Sequence, residues 1–215
     1  MPKSKKKVVI LIDGGFLRIL CRKAGLVYDN NFIEQFSKGC TEQDEEILRI
    51  LYYDCAPYTG TAHLPVSNNV HQFNGSDAWL HELARKDLFA VRRGVLKFRG
   101  YKPKRTPVNP IGALTDGDFE ADFEQKGVDM RIGLDMATYS SLRCVDRIIL
   151  VSNDTDCVPA MKHGRKSGLQ VVIVELPNSR VTPELLSHSD FKRHVDWPVS
   201  ARPFVRAAGS PPQVN

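Results

Sequence analysis

Two aspartates one residue apart, Asp154 and Asp156, follow directly on the apolar run Arg147 to Val151, with Ser152, Asn153 and Thr155 around them. Carboxylates so placed at a strand end repel one another unless something positive lies between them, and a divalent cation is the simplest candidate. Asp13 stands in the same situation, at the end of the apolar run Val8 to Ile12 and just ahead of Gly14-Gly15. Asp129 opens a helical pattern in which Val128, Ile132 and Met136 recur four residues apart. Asp135 lies ~9 Å further along that helix axis and about 120° round, so it is either a further ligand or a supporting acid on the helix surface. Taken singly, each of these acids could be a helix cap or a first-turn charge. Gathered on one edge without a cation, they would raise one another's pKa and strain the fold. Hard oxygen donors without His or Cys favour Mg2+ or Mn2+ over zinc, and a partly hydrated ion leaves room for phosphate oxygens. Such a site activates water and neutralises charge for in-line attack on phosphorus.

The elements that would bring these acids together follow from the pattern of apolar runs. Strands over Val8–Ile12, Glu46–Tyr53, Arg147–Val151 and Gln170–Glu175 alternate with helices over 16–20, Asn30–Phe36, Ser76–Leu88, Val128–Leu142 and Val158–Ser167. The continuous apolar strands suit a parallel sheet covered on both faces, and such sheets collect their chemistry at the strands' carboxyl ends. A helix that precedes a parallel strand runs antiparallel to it, so Asp129 begins its helix at that same edge. Gly168 is placed to end the helix 158–167, and Lys162, Arg165 and Lys166 complement its dipole. The stretch Tyr58–Asn74 is polar and punctuated and reads as a loop. Val91–Tyr101 reads as a basic strand or a hairpin about Gly94, and residues 102–115, with three prolines, as an exposed connection. The acidic run Asp116 to Glu124 then leads into the helix at Val128. Residues 183–189 could add a short last helix.

The chain has 215 residues, a net charge of +5 and 42% hydrophobic residues. It is long enough for one domain with a real core. No apolar run approaches the ~18 residues that span a bilayer, so a cytoplasmic protein without a membrane partner is expected. The five cysteines form no C-x-x-C pair and the six histidines no H-x-x-x-H pair, which argues against a disulfide framework and a structural zinc. Lys and Arg crowd residues 85–105, where Arg92, Arg93, Lys97, Arg99, Lys102, Lys104 and Arg105 could track a phosphate backbone, with Phe98 and Tyr101 between them as stacking surfaces or as core. The expected organisation is a basic extension over 1–7, a domain over 8–195 with a basic insertion around 85–115, and a flexible tail over 196–215.

Three blocks, IDGGFL at 12–17, QKGVDMRIGLDMA at 125–137 and VSNDTDCVPAMKHGRKSGLQVVIV at 151–174, resemble in order and spacing the motif blocks of the NYN domain family, the LabA-like branch of the PIN-like nucleases. The resemblance spans roughly residues 8 to 190. It implies a three-layer α/β/α sandwich with a central, mainly parallel sheet, and metal-dependent cleavage of RNA. Carried over by motif, the acids are Asp13, Asp129, Asp154 and Asp156 as catalytic and metal-binding residues, with Asp135 matching a recurring acid. Phe16, Asn153 and Cys157 stand where many relatives carry Asn, Gly and Phe. The expectation is therefore a ribonuclease that uses Mg2+ or Mn2+ on single-stranded or structured RNA, with self-association left open. A module without turnover, binding RNA, a nucleotide or a protein through the same fold, is the alternative. An aspartyl phosphatase would need a D-x-D on the first strand, which Gly15 interrupts.

Overall fold

A computed structural model describes residues 4–104 and 114–205. Five strands form a parallel set: β1 (Lys6–Asp13), β2 (Glu45–Cys55), β7 (Arg147–Val151), β8 (Gln170–Glu175) and β9 (Phe191–His194). With β5 (Phe89–Pro103) and β6 (Phe119–Lys126) they make a seven-stranded sheet in the order β6-β5-β2-β1-β7-β8-β9. The first part of β5 pairs parallel to β2, from Ile50↔Phe89 to Cys55↔Gly94, and its remainder pairs antiparallel to β6.

Alternation along β1 builds both faces of the core. Val8, Ile10 and Ile12 point to one side, among Leu17 and Cys21 of α1 (Gly14–Lys23), Phe32, Ile33 and Phe36 of α2 (Asn30–Gly39), and Leu80 and Leu83 of α3 (Ala78–Ala84). Val9 and Leu11 point to the other, among Val128, Ile132 and Met136 of α4 (Val128–Leu142), Val158 and Met161 of α5 (Val158–Lys166), and Leu185 of α6 (Pro183–Ser187). Every residue of β7 is buried, as a strand covered on both faces requires. The result is a three-layer α/β/α sandwich on a mainly parallel sheet. No helix among the described residues is long and apolar enough to cross a membrane.

Chain order places the site. From β1 the chain proceeds to β2 on one side, and later returns to β7 on β1's other side. The order of strands thus reverses at β1, where parallel sheets open a crevice at their carboxyl ends. Ile12 is paired with Val151 and Asp13 with Tyr53, so Asp13, Asp54 and the turn after Val151 lie side by side.

Several segments differ from the expectation. Tyr58–Asn74 is not a loop: β3 (Thr59–His63) and β4 (Val70–Asn74) form an antiparallel hairpin of exposed and half-buried residues. Tyr58 and Phe73 pin it on Phe98 and Phe123, with ring centroids 5.4–5.8 Å apart. The acidic run does not lead straight into a helix, because Phe119–Lys126 is a strand paired with β5. Residues 89–103 are accordingly part of the central sheet. The helix expected to reach Leu88 ends at Ala84, and Leu88 has a left-handed φ of 68°. Lys6 and Lys7, expected in the extension, belong to β1, and β9 is an additional edge strand. The expected tail is docked as far as Phe204. Trp197 packs on Phe32 and Phe36, Arg202 pairs with Asp29 at 2.6 Å, and the Phe204 amide donates to the Gly25 carbonyl at 2.7 Å.

Candidate functional site

Each acid reaches the crevice for a local reason. Asp13 ends β1 and caps α1, its Oδ1 accepting from the Phe16 amide at 3.0 Å. The two glycines that follow allow close approach and do not form a phosphate loop. A Cβ on Gly14 would collide with the Tyr52 hydroxyl and the Tyr53 carbonyl, and one on Gly15 would fill the space between Asp13 Oδ1 and the Gln125 amide, 3.3 and 3.2 Å away. Asp154 caps a short 3-10 turn over Thr155–Cys157, its Oδ1 accepting from the Asp156 amide at 2.9 Å, and its own amide is held by Ser152 Oγ at 3.2 Å. Asp129 lies in the first turn of α4.

The structure brings three of the predicted acids into one group. Asp129, Asp154 and Asp156 each offer a carboxylate oxygen within 4.8 Å of the others. Asp13 stands outside that distance but within electrostatic reach of Asp129. Burial pushes Asp13 up to about 6, and Asp129 and Asp54 add to the rise against the Phe16 amide. Burial also raises Asp129, with Asp154 and Asp156 contributing. The Cys157 thiol beneath the turn is pushed up to about 12, again first by burial and then by Asp154 and Asp129. These shifts describe one uncompensated negative field. No Lys or Arg forms an ion pair with any of the four acids among the described residues.

Asp135 is not brought into the group. It faces the other way along α4, accepting from the Tyr53 hydroxyl and from Arg92 Nε, both at 2.9 Å. The expected basic track is also largely paired. Arg93 meets Asp77 at 2.8 Å, Arg99 meets Glu124 at 3.4 Å, and Lys102 meets Asp122 at 2.9 Å. Lys97 stands opposite Glu124 in the register, on the ribbon face away from the Gln125 side chain that reaches Gly15. Lys104 is exposed, and Arg105 lies outside the described residues. Phe98 is packed by Tyr58, Phe73, Tyr101 and Phe123, which answers in favour of core and against a free stacking surface.

Three neighbours, Asp54, Arg18 and Gln125, were not expected. Asp54 is 1% exposed beside Asp13 and takes a two-pronged ion pair from Arg18 and a 3.1 Å hydrogen bond from the Tyr52 hydroxyl. Its signal was its position, a second acid at the end of an apolar strand. Gln125 is the third, and nothing in the spacing of residues announces that β6 carries it to Gly15.

The sequence signature of the NYN domain family matches residues 7–195, most of the chain. This protein belongs to the NYN domain family. Membership carries a nuclease-like, PIN-like fold whose members generally act on nucleic acids and use divalent metals, and an aspartate group is present in this chain. No curated protein matches the chain. Among solved structures, a protein of unknown function from Vibrio parahaemolyticus is similar in fold, with a TM-score of 0.54 and 21% identity over 91% of this NYN chain and 96% of that one. Of the three positions expected to differ from the family pattern, Phe16 packs against the core, Cys157 is buried, and Asn153 ties down the loop at Arg180–Thr182.

Proposed function

We propose that the chain is a divalent-metal-dependent ribonuclease that cleaves RNA phosphodiesters at the aspartate group. The observation that carries this reading is the convergence of Asp129, Asp154 and Asp156 without any compensating cation, beside the partly buried Asp13, in an NYN fold. The donor set fits a hard cation: it is all oxygen, and the 4.8 Å limit on its separations suits carboxylates that share one ion or a close pair. Asp129, Asp154 and Asp156 would hold Mg2+ or Mn2+, with Asp13 adjoining. When bound, the ion supplies an activated water and charge neutralisation at phosphorus.

The remaining work falls to the chain itself. Asp13, poised near neutrality, suits the holding or acceptance of a proton, a role for which a pKa close to the working pH is best. The Gln125 amide, beside the space left by Gly15, offers both a donor and an acceptor to a substrate oxygen. Arg92 and Asp135 hold the middle of α4 against Tyr53 and so position the helix that carries Asp129. The cations of the β5–β6 ribbon contribute a weak field to RNA approach, since most are already paired. The five free cysteines suit a reducing compartment, and we place the protein in the cytoplasm.

The test is incubation of purified protein with end-labelled single-stranded and hairpin RNAs in Mg2+, Mn2+ or a chelator, with mapping of the product ends. Cleavage only with metal, leaving defined ends, is expected. RNA binding without cleavage in any metal would favour the regulatory module.

A further inference from the structure

The four acids would repel a polyanion, so a nucleic acid can reach them only where cations face its phosphates. A guanidinium already shared with a protein carboxylate cannot do this without giving up its pair. At the carboxyl edge Arg18 is bound to Asp54, Arg92 to Asp135, Arg93 to Asp77 and Arg99 to Glu124. Two arginines on segments that adjoin the acids have no carboxylate partner among the described residues, Arg131 and Arg180.

Both are tied to the acid group through the chain. Arg131 lies two residues after Asp129 in α4, and its Nη1 donates to the Gly127 carbonyl at 2.7 Å, which fixes the guanidinium over the helix start. That bond uses one of its five N–H groups. Arg180 is exposed on the segment between β8 and α6. Asn153, the neighbour of Asp154, clamps that segment from both sides: its Nδ2 donates to the Arg180 carbonyl at 3.3 Å and its Oδ1 accepts from the Thr182 amide at 3.0 Å. Arg131 is therefore anchored over the start of the helix that carries Asp129, and the backbone at Arg180 is anchored to the neighbour of Asp154.

We propose that Arg131 and Arg180 grip phosphates of a polynucleotide on either side of the one presented to the acids. They take the place in binding that composition assigned to the basic ribbon. This rests on the nuclease reading above, and it adds the substrate class: a strand long enough to offer a phosphate to each arginine, in preference to a mononucleotide. A planar fork suits both oxygens of a phosphate in a way that an ammonium does not.

The experiment measures the affinity of a fluorescent single-stranded RNA in chelator across a salt series, and cleavage of the same RNA in Mn2+. The proteins are wild type, Arg180→Ala, Arg180→Lys, Arg131→Ala, the double alanine variant, and Lys23→Ala at the far end of α1 as control. Each alanine variant should weaken binding about tenfold and reduce the slope of log affinity against log salt by about 0.7. Arg180→Lys should keep the slope while recovering only part of the affinity, and Lys23→Ala should match wild type. Arg180 is exposed, so its variants test the proposal even where Arg131→Ala perturbs the start of α4. A wild type that cleaves, beside a double variant that binds with unchanged affinity and slope, overturns the arginine assignment and leaves the nuclease reading intact. Arginine-dependent binding without cleavage supports the assignment and removes the nuclease reading. Absence of both binding and cleavage in the wild type overturns both.

Discussion

Two acids at opposite ends of the central sheet, Glu45 and Asp13, are treated in opposite ways. At the amino end, Glu45 is 5% exposed and is met by Arg193 at 2.9 and 3.0 Å and by Arg147, with the Glu42 amide donating at 2.8 Å. Burial alone would raise its carboxyl, but the Arg193, Glu42 and Arg147 bonds together hold it below the usual range. At the carboxyl end Asp13 is pushed up to about 6, because burial is joined by Asp129 and Asp54 and opposed chiefly by one backbone amide. Where this chain needs a buried acid only for architecture, it supplies the cations. Their omission from the four acids at the other end is what the proposed metal site would require.

The largest expected effect breaks the comparison at the carboxyl end. Asp154→Asn keeps the side chain's shape and its capping oxygen while removing one charge from the group, so the fold should survive and metal-dependent cleavage should fall by orders of magnitude. RNA affinity in chelator should hold or tighten, since a charge that repels phosphate has gone. Single-turnover cleavage and metal-free binding on folded protein are the measurements. Wild-type cleavage by this variant would remove the acids from the chemistry.

The amino end should answer with stability. Glu45→Gln leaves Arg147 and Arg193 with a neutral partner and only the exposed Glu42 carboxylate, 3.7 and 3.3 Å away, in a site where Arg147 is 5% exposed, and breaking one side of a buried ion cluster costs about 3 kcal/mol or more. For a chain of this size that corresponds to a fall in Tm of roughly 6–12 °C. Cleavage per folded molecule, assayed well below Tm, should be unchanged. A drop under 2 °C would mean that the cluster contributes little.

Asp13→Asn should act with the opposite sign. A carboxyl whose native pKa lies near 6, above its unfolded value of 3.8, binds more protons when folded, so its contribution to stability falls as pH rises between those values. Replacing it removes that penalty, and Asn still caps α1. The variant should exceed wild type by about 1–3 kcal/mol at pH 8 in chelator, and the gap should close near pH 4. Mg2+ or Mn2+ should reverse the order by raising wild-type Tm more than that of the variant, through mass action on the native state. Thermal melts across pH, with and without metal, check both signs.

How legible each part was depends on whether its partners lie on one segment. The apolar run of β7, the i, i+4 stripe of α4 and the Gly168 stop are local, and their bounds agree with the strand Arg147–Val151, the helix Val128–Leu142 and the helix end at Lys166. The hairpin β3–β4 is made of polar strands anchored by an aromatic patch drawn from four segments and by Asp116, which accepts from the Val66 and Ser67 amides in its turn, so no spacing announces it. In β6 the alternation of Phe119, Ala121 and Phe123 with Glu120, Asp122 and Glu124 was present, but its acids suited the approach to a helix equally well. Trp197 was the visible sign that the chain is docked beyond residue 196. Asp154, Asp156 and Asp129 were legible from their strand-end and helix-start positions. The Asp54–Arg18 and Asp135–Arg92 pairs were not, because an ion pair between segments leaves no trace in either one.

The smallest effects belong to the β5–β6 ribbon, the charged region in which every acid run meets a basic one. Its pairs are exposed, so Arg99→Ala or Lys102→Ala should change stability by less than about 1 kcal/mol, within 2–4 °C in Tm. Their loss should also weaken RNA binding less than Arg180→Ala does, because each removes a cation that Glu124 or Asp122 already neutralises. The sharper experiment removes the acids. Glu120→Gln, Asp122→Asn and Glu124→Gln together release Lys97, Arg99 and Lys102 on one face, and the salt slope of RNA binding should steepen by up to about 0.7 per cation that gains a phosphate. An unchanged slope would mean that this face lies off the path of the RNA, and that Arg131 and Arg180 act without it.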